Sequence, residues 1–426
     1  MKAVILVAGI GSRLKPLTDN RPKHLLPVAS KPLLEHLLTN IRETGIKEVI
    51  LVVGYRHKMI ERYFQNMNDL GLLLTYVHQE KPLGTANAIG LAQEHIEDDY
   101  FLVVYGDLYL SSSVITSLIK NYSEENLTTM GVVSVQNPYQ FGVVKLKNKF
   151  VEAIIEKPRI GERFGNLVNA GIYVFPKNIF KEISQTGVSR RSEVEITDTI
   201  SSLLKKNTPI IAHIINNEHW LDLGRPWDLL EANKRALTDV KSDFEGEVEP
   251  GVYMSGEVVI KKGARIRSGS YLEGPILIGC GSDIGPNCYI RPFSNIGKDV
   301  HTGNACEVKA SVILDKTHIG HLSYIGDSII GENCNLGAGT VIANLRFDNQ
   351  EVKVTLNSKL VDSGLRKLGV MMGDDVKTGI GVNIMPGIKI GSNVWIGPNT
   401  TIYQDVKKGA FVVQKQNLHF RERRKI

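Results

Sequence analysis

The amino-acid sequence predicts an α/β domain with a Rossmann-like rhythm, followed by a left-handed parallel β-helix built from hexapeptide repeats. Two observations carry this expectation. Up to about residue 240, short apolar strand-like runs alternate with stretches of helical period. Beyond about residue 246, aliphatic residues recur at a fixed six-residue step.

In the first part the strand-like runs are VILV at 4–7, EVILVVG at 48–54, YFLVVYGD at 100–107 and GIYVF at 171–175, with helix-period stretches at Leu33–Thr44 and Ser111–Asn121 between them. This is the grammar of a sheet of parallel strands, whose binding sites belong at the strands' carboxyl ends. Gly9, Gly54, Gly106 and Asp107 all fall there. The loop after the first strand carries Gly9, Gly11, Arg13 and then Lys23, fenced between Pro22 and Pro27. Such a loop can bring backbone N–H groups and two fixed cations against a phosphate chain. A dinucleotide-binding loop would place a small residue where Leu14 stands. A Walker loop would continue Gly-Lys-Ser/Thr, where Gly11 is followed by Ser12 and Arg13.

In the second part Ile260, Ile266, Leu272, Ile278, Ile284, Ile290 and Ile296 are each six apart, and Ile384, Ile390, Ile396 and Ile402 repeat the step. Six residues make one flat face of a left-handed β-helix, and three hexapeptides complete a coil. Between Leu345 and Leu368 the period stops in a polar excursion that includes Lys353. Thr238–Pro250, rich in acids, reads as the connection, giving domains at 1–240 and 246–426.

The chain of 426 residues has 42% hydrophobic and 23% charged residues, which fits a soluble multidomain protein rather than a disordered one. No apolar run reaches the roughly 20 residues of a bilayer helix, and the sequence opens on a strand without room for a signal peptide, so no membrane association and a cytoplasmic location are expected. The cysteines at 280, 288, 306 and 334 lack metal or disulfide spacing and read as small core residues. The net charge of +6 includes the tail Arg421–Lys425, read as a solvated end and not a nucleic-acid site.

The motifs GIGSRLKPLTDNRPKHLLPVASKPLLEHLL, LGTANA at 83–88, YGD at 105–107, FGVV at 141–144, IIEKP at 154–158, NAGIYVF at 169–175 and WLDLG at 220–224 resemble, in this order, those of sugar-phosphate nucleotidylyltransferases. The resemblance implies transfer of a nucleotidyl group from a nucleoside triphosphate to a sugar-1-phosphate. Arg13 and Lys23 would hold the triphosphate at Gly9 and Gly11, and Asp107 and Asp222 would hold Mg²⁺. Lys157 would meet the sugar phosphate, and Gly142, Glu156 and Asn169 would line the sugar. Gln79, Gly84 and Thr85 fall where the family reads the base, and a glutamine amide pairs with the imide edge of uracil or thymine, favouring UTP or dTTP over GTP.

In the second part RPF at 291–293, CEVKAS at 306–311, GHLSYIGD at 320–327 and NLGAGTVIAN at 335–344 are similar to the acetyltransferase domain of bacterial bifunctional N-acetylglucosamine-1-phosphate uridyltransferases. By that resemblance His321 is a general base toward acetyl-CoA chemistry, Arg291 and Lys309 grip a sugar phosphate, Tyr324 and Asn335 touch the sugar, and Asn344 neighbours the acetyl group. The bacterial motif continues Asn-Tyr-Asp-Gly, whereas here Asn344 is followed by Leu345, Arg346 and Phe347. Along its whole length the chain resembles the archaeal bifunctional sugar-1-phosphate nucleotidylyltransferase and acetyltransferase family, which implies a homotrimer. The rival readings are a glucose-1-phosphate thymidylyl- or uridylyltransferase whose β-helix only assembles trimers, and a non-catalytic regulatory subunit. The presence of Arg13, Lys23, Asp107 and Asp222 speaks against the second.

Overall fold

In a computed structural model that describes residues 1–65, 67–159 and 165–420, the chain forms two compact units. The first comprises Met1–Gly11, Arg21–Pro27 and Lys31–Gly224; the second comprises Ser12–Asn20, Val28–Ser30 and Arg225–Ile426. The basic tail at 421–425 lies outside the described residues.

The first unit is built on a nine-stranded sheet in the order Leu73–His78, Glu48–Val53, Ala3–Val7, Tyr100–Tyr105, Leu167–Pro176, Thr129–Ser134, Ile211–Ile215, Phe150–Glu156 and Gly142–Lys147. Both faces are covered. Ala3, Ile5 and Val7 pack with Leu34, Leu37, Leu38 and Ile41 of the helix Leu33–Glu43, while Val4 packs with Ile50, Val52 and Ile89 on the opposite face. Those helix positions recur at three- and four-residue spacing, so one stripe of the helix meets the alternate side chains of the strand.

The four strands from Leu73–His78 to Tyr100–Tyr105 are parallel, as expected. The strand Leu167–Pro176, whose core reads in the sequence as one more parallel strand, instead runs antiparallel to Tyr100–Tyr105. An apolar run buried on both faces has no direction written in it. Here the intervening hairpin Gly142–Lys147 with Phe150–Glu156 returns the chain in the reverse sense. The reversal matters for the site. It brings the amino end of this strand, with Asn169, to the edge where the parallel strands finish at Gly9, Gly54, Gln79 and Asp107.

The second unit carries three ribbons of eight, nine and eight parallel strands, an arrangement consistent with a left-handed β-helix. Ile260, Ile278 and Ile296 stack in one ribbon, Ile266 and Ile284 in the next, and Leu272 and Ile290 in the third. The coil continues where the six-residue step breaks off. Buried Thr302 occupies one aliphatic slot, and pairings of Asn295 with Val312 and His301 with His318 shorten the repeat there. The excursion is closed by an antiparallel bridge from Leu345 to Lys367 and contains the hairpin Lys353–Leu356 with Lys359–Asp362. Asn357 and Ser358 both take positive φ, the backbone that a two-residue hairpin turn of the favoured twist requires.

The helix Asp228–Thr238 belongs to this unit because Leu237 packs on Val259 and Leu277. Cys288, Cys306 and Cys334 are buried in the stack, but Cys280 is exposed, since it sits at a coil corner after inward-facing Ile278.

Ile290 is 0% exposed in the middle of its ribbon. Ile290→Ala is expected to cost about 2–5 kcal/mol through lost burial and the cavity left behind. Val341→Ala, on an outward position of the same ribbon, should stay within about 0.5 kcal/mol. Denaturant unfolding of the full chain with a probe on the β-helix checks the contrast.

Candidate active sites

At the strand-end edge of the first unit Lys23 Nζ donates to Asp107 Oδ2 in a largely buried ion pair. The geometry of both backbones makes the contact. Lys23 opens a short 3₁₀ turn, Lys23–Leu25, after extended Pro22. Gly106 lets Asp107 approach, because a Cβ there would stand 2.3 Å from Val7 Cγ1 and 2.8 Å from Leu6 O. Gly9 faces the Lys23 stem, where a Cβ would lie 3.4 Å from Lys23 Cε, while Gly11 has φ +69° in the turn. Burial pushes the Asp107 carboxyl up, but the Lys23 ammonium outweighs this and holds it below the usual carboxylate range. Beside them His24 is buried, with Nδ1 lacking a hydrogen-bond partner. Its burial first, and Lys23 second, push the imidazole down to about 3.

Asp222 ends the short strand Trp220–Asp222, which pairs with Leu108–Leu110 so that Asp222 stands opposite Leu108. Leu223 N–H donates to Asp107 O at 2.9 Å, and Trp220 Nε1 anchors the strand on Ala170 O at 2.8 Å. The two aspartates thus lie one residue out of register on paired backbones, and carboxylate oxygens are the hard donors that Mg²⁺ takes. Arg13 lies in the turn Ser12–Leu14, on the segment grouped with the second unit.

The remaining residues of the first unit's set gather on the same edge. Gln79 is buried, and its amide N–H₂ donates to Gly84 O at 3.2 Å and Asn87 Oδ1 at 2.8 Å, which leaves Oε1 for an incoming N–H donor. Gly84 has φ +107° and no room for a Cβ, which would lie 2.4 Å from Val194 O. Thr85 Oγ1 accepts from Ile196 N–H. Gly142 pairs with Glu156, and a Cβ on Gly142 would stand 2.9 Å from Glu156 Oε2 and 3.6 Å from Asn169 Cβ. Lys157 adopts φ +44° with Nζ 3.5 Å from Glu156 Oε1. Of this set Glu156 and Lys157 line a cavity of about 840 Å³, to which Arg159, Arg190, Arg191 and Glu195 also contribute.

Sequence reading singled out neither Tyr105 nor Thr197. Burial pushes the Tyr105 phenol well above its ordinary range, opposed by its bonds to Tyr173 and Thr85. Glu156 and Asp107 bear on the same phenol, so it links the base-side loop, the sugar side and the ion pair. Thr197 is buried beside Gly142 with its hydroxyl unpartnered. Tyr105 reads in the sequence only as the last residue of an apolar run, ahead of Gly106 and Asp107; Thr197 carries no signal.

On one ribbon of the β-helix Arg291 Nη1 donates to Glu307 Oε1 at 2.8 Å, and Lys309 Nζ lies 2.8 Å from Asp327 Oδ2. Asn344 Nδ2 donates to Tyr324 Oη at 3.2 Å and also to Asp327. Gly326 permits this meeting, since a Cβ would lie 2.5 Å from Tyr324 Oη. His321 is exposed in the turn between His318–Ile319 and Tyr324–Gly326, with Nδ1 accepting from Asn304 N–H at 2.9 Å. A neutral ring so held carries its proton on Nε2. Asn335 stands apart, exposed on a different ribbon between His318 and Lys377, and Lys353 is exposed on the hairpin. The carboxylates Glu307 and Asp327, which hold the two cations, were missed as partners although both lie inside the motifs.

The shift of His24 fixes the sign of a pH effect. Its folded value, about 3, lies below the ordinary 6.5, so as pH falls below about 6.5 the unfolded chain takes up a proton that the folded chain refuses. Stability of the first unit should fall by about 1.4 kcal/mol per pH unit from this group, over the window from about 6.5 down to about 3. Urea unfolding of chelator-treated protein between pH 5 and 7 is expected to show this slope in the wild type and a shallower one in His24→Gln. Equal slopes would contradict it.

Residues 2–239 match the nucleotidyl transferase family, residues 272–378 the GMPPB C-terminal domain, and residues 369–407 the six-repeat bacterial transferase hexapeptide family. The chain is 46% identical to "Bifunctional protein GlmU" of Methanocaldococcus jannaschii, covering 99% of this chain and 100% of that protein. It is 42% identical to the "Bifunctional sugar-1-phosphate nucleotidylyltransferase/acetyltransferase" of Sulfurisphaera tokodaii, covering 96% and 99%. Among solved structures, a putative glucose-1-phosphate thymidylyltransferase from Bacillus anthracis superposes with a TM-score of 0.52 at 29% identity, over 57% of this chain and 98% of that one. With relatives matched from end to end and both domain families found in order, the chain belongs to the bifunctional sugar-1-phosphate nucleotidylyltransferase and acetyltransferase family.

Proposed function

We propose that the first unit joins UMP or dTMP from UTP or dTTP to a sugar-1-phosphate, releasing pyrophosphate, and that the β-helix N-acetylates glucosamine- or galactosamine-1-phosphate with acetyl-CoA. The observation that carries the first reaction is the pairing of Lys23 with Asp107 at the strand ends, with Asp222 alongside. A sugar phosphate oxygen attacks the α-phosphorus in line, and the charge gathering on the leaving pyrophosphate needs fixed cations. In this reading Lys23 and Arg13 supply them, and Gly9 and Gly11 admit the phosphates to the backbone. Asp107 and Asp222 would hold Mg²⁺, which would supply charge neutralisation on the phosphate oxygens. The free Oε1 of Gln79 suits the N3–H of uracil or thymine, with Gly84 and Thr85 shaping the loop around it. Lys157 takes the sugar phosphate, with Glu156, Asn169 and Gly142 at the hydroxyls.

For acetyl transfer, Arg291 and Lys309 exchange Glu307 and Asp327 for the sugar phosphate, Tyr324 contacts the sugar, and Asn344 sits by the acetyl group. His321 is the base for the amine as it attacks the thioester. Its bond from Asn304 N–H has to open for the Nε2 lone pair to become available, so the ring turns when substrate binds. Asn335, on another ribbon, joins the set from a second copy, which supports a homotrimer. Use of a nucleoside triphosphate and acetyl-CoA suits the cytoplasm.

Loss of a preorganised cation costs roughly a hundred- to a thousandfold in rate. Lys23→Ala and Arg13→Ala should each lose pyrophosphate release by about that factor while CoA release persists; near-normal nucleotidyl turnover in both would remove the assignment.

His321→Ala should lose acetyl transfer by roughly a hundred- to ten-thousandfold, with nucleotidyl transfer and the oligomer kept. If His321→Ala acetylates normally, the β-helix is an assembly module only.

A further inference from the structure

The helix His57–Gln65 and the edge strand Leu73–His78 meet at a cluster that neither proposed reaction uses. His57 and Glu61 are four residues apart on the helix, so they share a face, and His78 closes the strand. His57 Nδ1 lies 2.9 Å and His78 Nε2 3.4 Å from the same oxygen, Glu61 Oε1. All three ligand atoms lie within 4.8 Å of one another, and the two rings meet edge to face with centroids 4.5 Å apart. In a tetrahedral site with bonds of about 2.0–2.1 Å, ligand atoms stand roughly 3.4 Å apart. The two histidine-to-glutamate distances fall on or just inside that value, so small side-chain rotations suffice to close the set on one ion.

Two imidazoles and one carboxylate suit Zn²⁺ and its neighbours in the first transition row, whereas Mg²⁺ takes oxygen. Side-chain exposures of 32% for His57, 21% for Glu61 and 50% for His78 leave an entry path and room for water to complete the coordination.

We propose that His57, Glu61 and His78 form a binding site for a Zn²⁺-class divalent ion, separate from Asp107 and Asp222, which clasps the helix to the edge strand. Its place gives it a second consequence. His78 directly precedes Gln79, whose backbone N–H donates to Val53 O at 2.8 Å, so an ion here steadies the strand end from which the buried amide projects.

The test uses the full, untagged chain stripped of metal and titrated with Co²⁺ as a spectroscopic probe. The wild type should develop the visible absorption of Co²⁺ bound through nitrogen in low coordination, Zn²⁺ should bleach it, and Asp107→Asn should retain it. His57→Ala and His78→Ala should each weaken Co²⁺ binding at least tenfold. Both variants should fold, because the helix is held by Ile60 and Phe64, which are 0% and 5% exposed, and circular dichroism of each confirms that. Glu61→Gln, which keeps shape but removes the charge, should also weaken binding. An absent signal in the wild type, or an unchanged titration in either folded histidine variant, would overturn the site.

Discussion

The ion pair between Lys23 and Asp107 is the interaction around which the first unit's edge is organised. Two largely buried charges are costly to bring out of water, and each is tolerable only because the other is there. The protein fixes both backbones, with Pro22 ahead of the lysine and Gly106 allowing the aspartate to crowd against Leu6 and Val7. His24 sits in the same field and is held neutral. A polyphosphate with its metal offers each partner of the pair a replacement of its own, an anion for Lys23 and a cation for Asp107. In the proposed reaction the resting pair is thus a stored charge separation, preorganised and electrically silent until substrate divides it.

The β-helix separates its tasks by direction. Side chains pointing inward form a continuous aliphatic stack, including Ile260, Ile278, Ile296, Ile313 and Ile330. On a different ribbon, outward positions carry Glu307, Lys309 and Tyr324, with Arg291 just past the strand Tyr289–Ile290, and their pairing contributes little to the stack. Cations at Arg291 and Lys309 are again held by carboxylates that an anionic ligand can replace. In the proposed reactions, a resting ion pair whose cation exchanges its carboxylate for a substrate phosphate thus recurs in both units.

What the sequence disclosed follows from how periodic each constraint is. Flat ribbons impose a six-residue step on the aliphatic positions, so Ile260 to Ile296 announce the solenoid by themselves. A single Thr302 in the stack and the shortened coils around Asn295–Val312 hide the middle of it, because one polar residue can fill a slot without a gap. The direction of Leu167–Pro176 was illegible, since both of its faces are apolar. Cys280 reads as core by type, yet its corner position exposes it. Motif residues at strand ends, such as Gly9, Gln79 and Asp107, were legible because the fold sends them to one edge. Their partners Tyr105, Thr197, Glu307 and Asp327 depend on contacts that only folding makes. The separation of Asn335 from Tyr324 is likewise a fact of ribbon assignment and invisible in spacing.

That Lys23 and Asp107 hold each other in place of their ligands is tested most directly by calorimetric titration of Mg²⁺ into the nucleotide-free chain. Replacing the ammonium with a neutral side chain of similar length, in Lys23→Met, should free Asp107 and make Mg²⁺ bind more tightly than to the wild type. Mg²⁺ binding that is unchanged or weaker in Lys23→Met would contradict the claim.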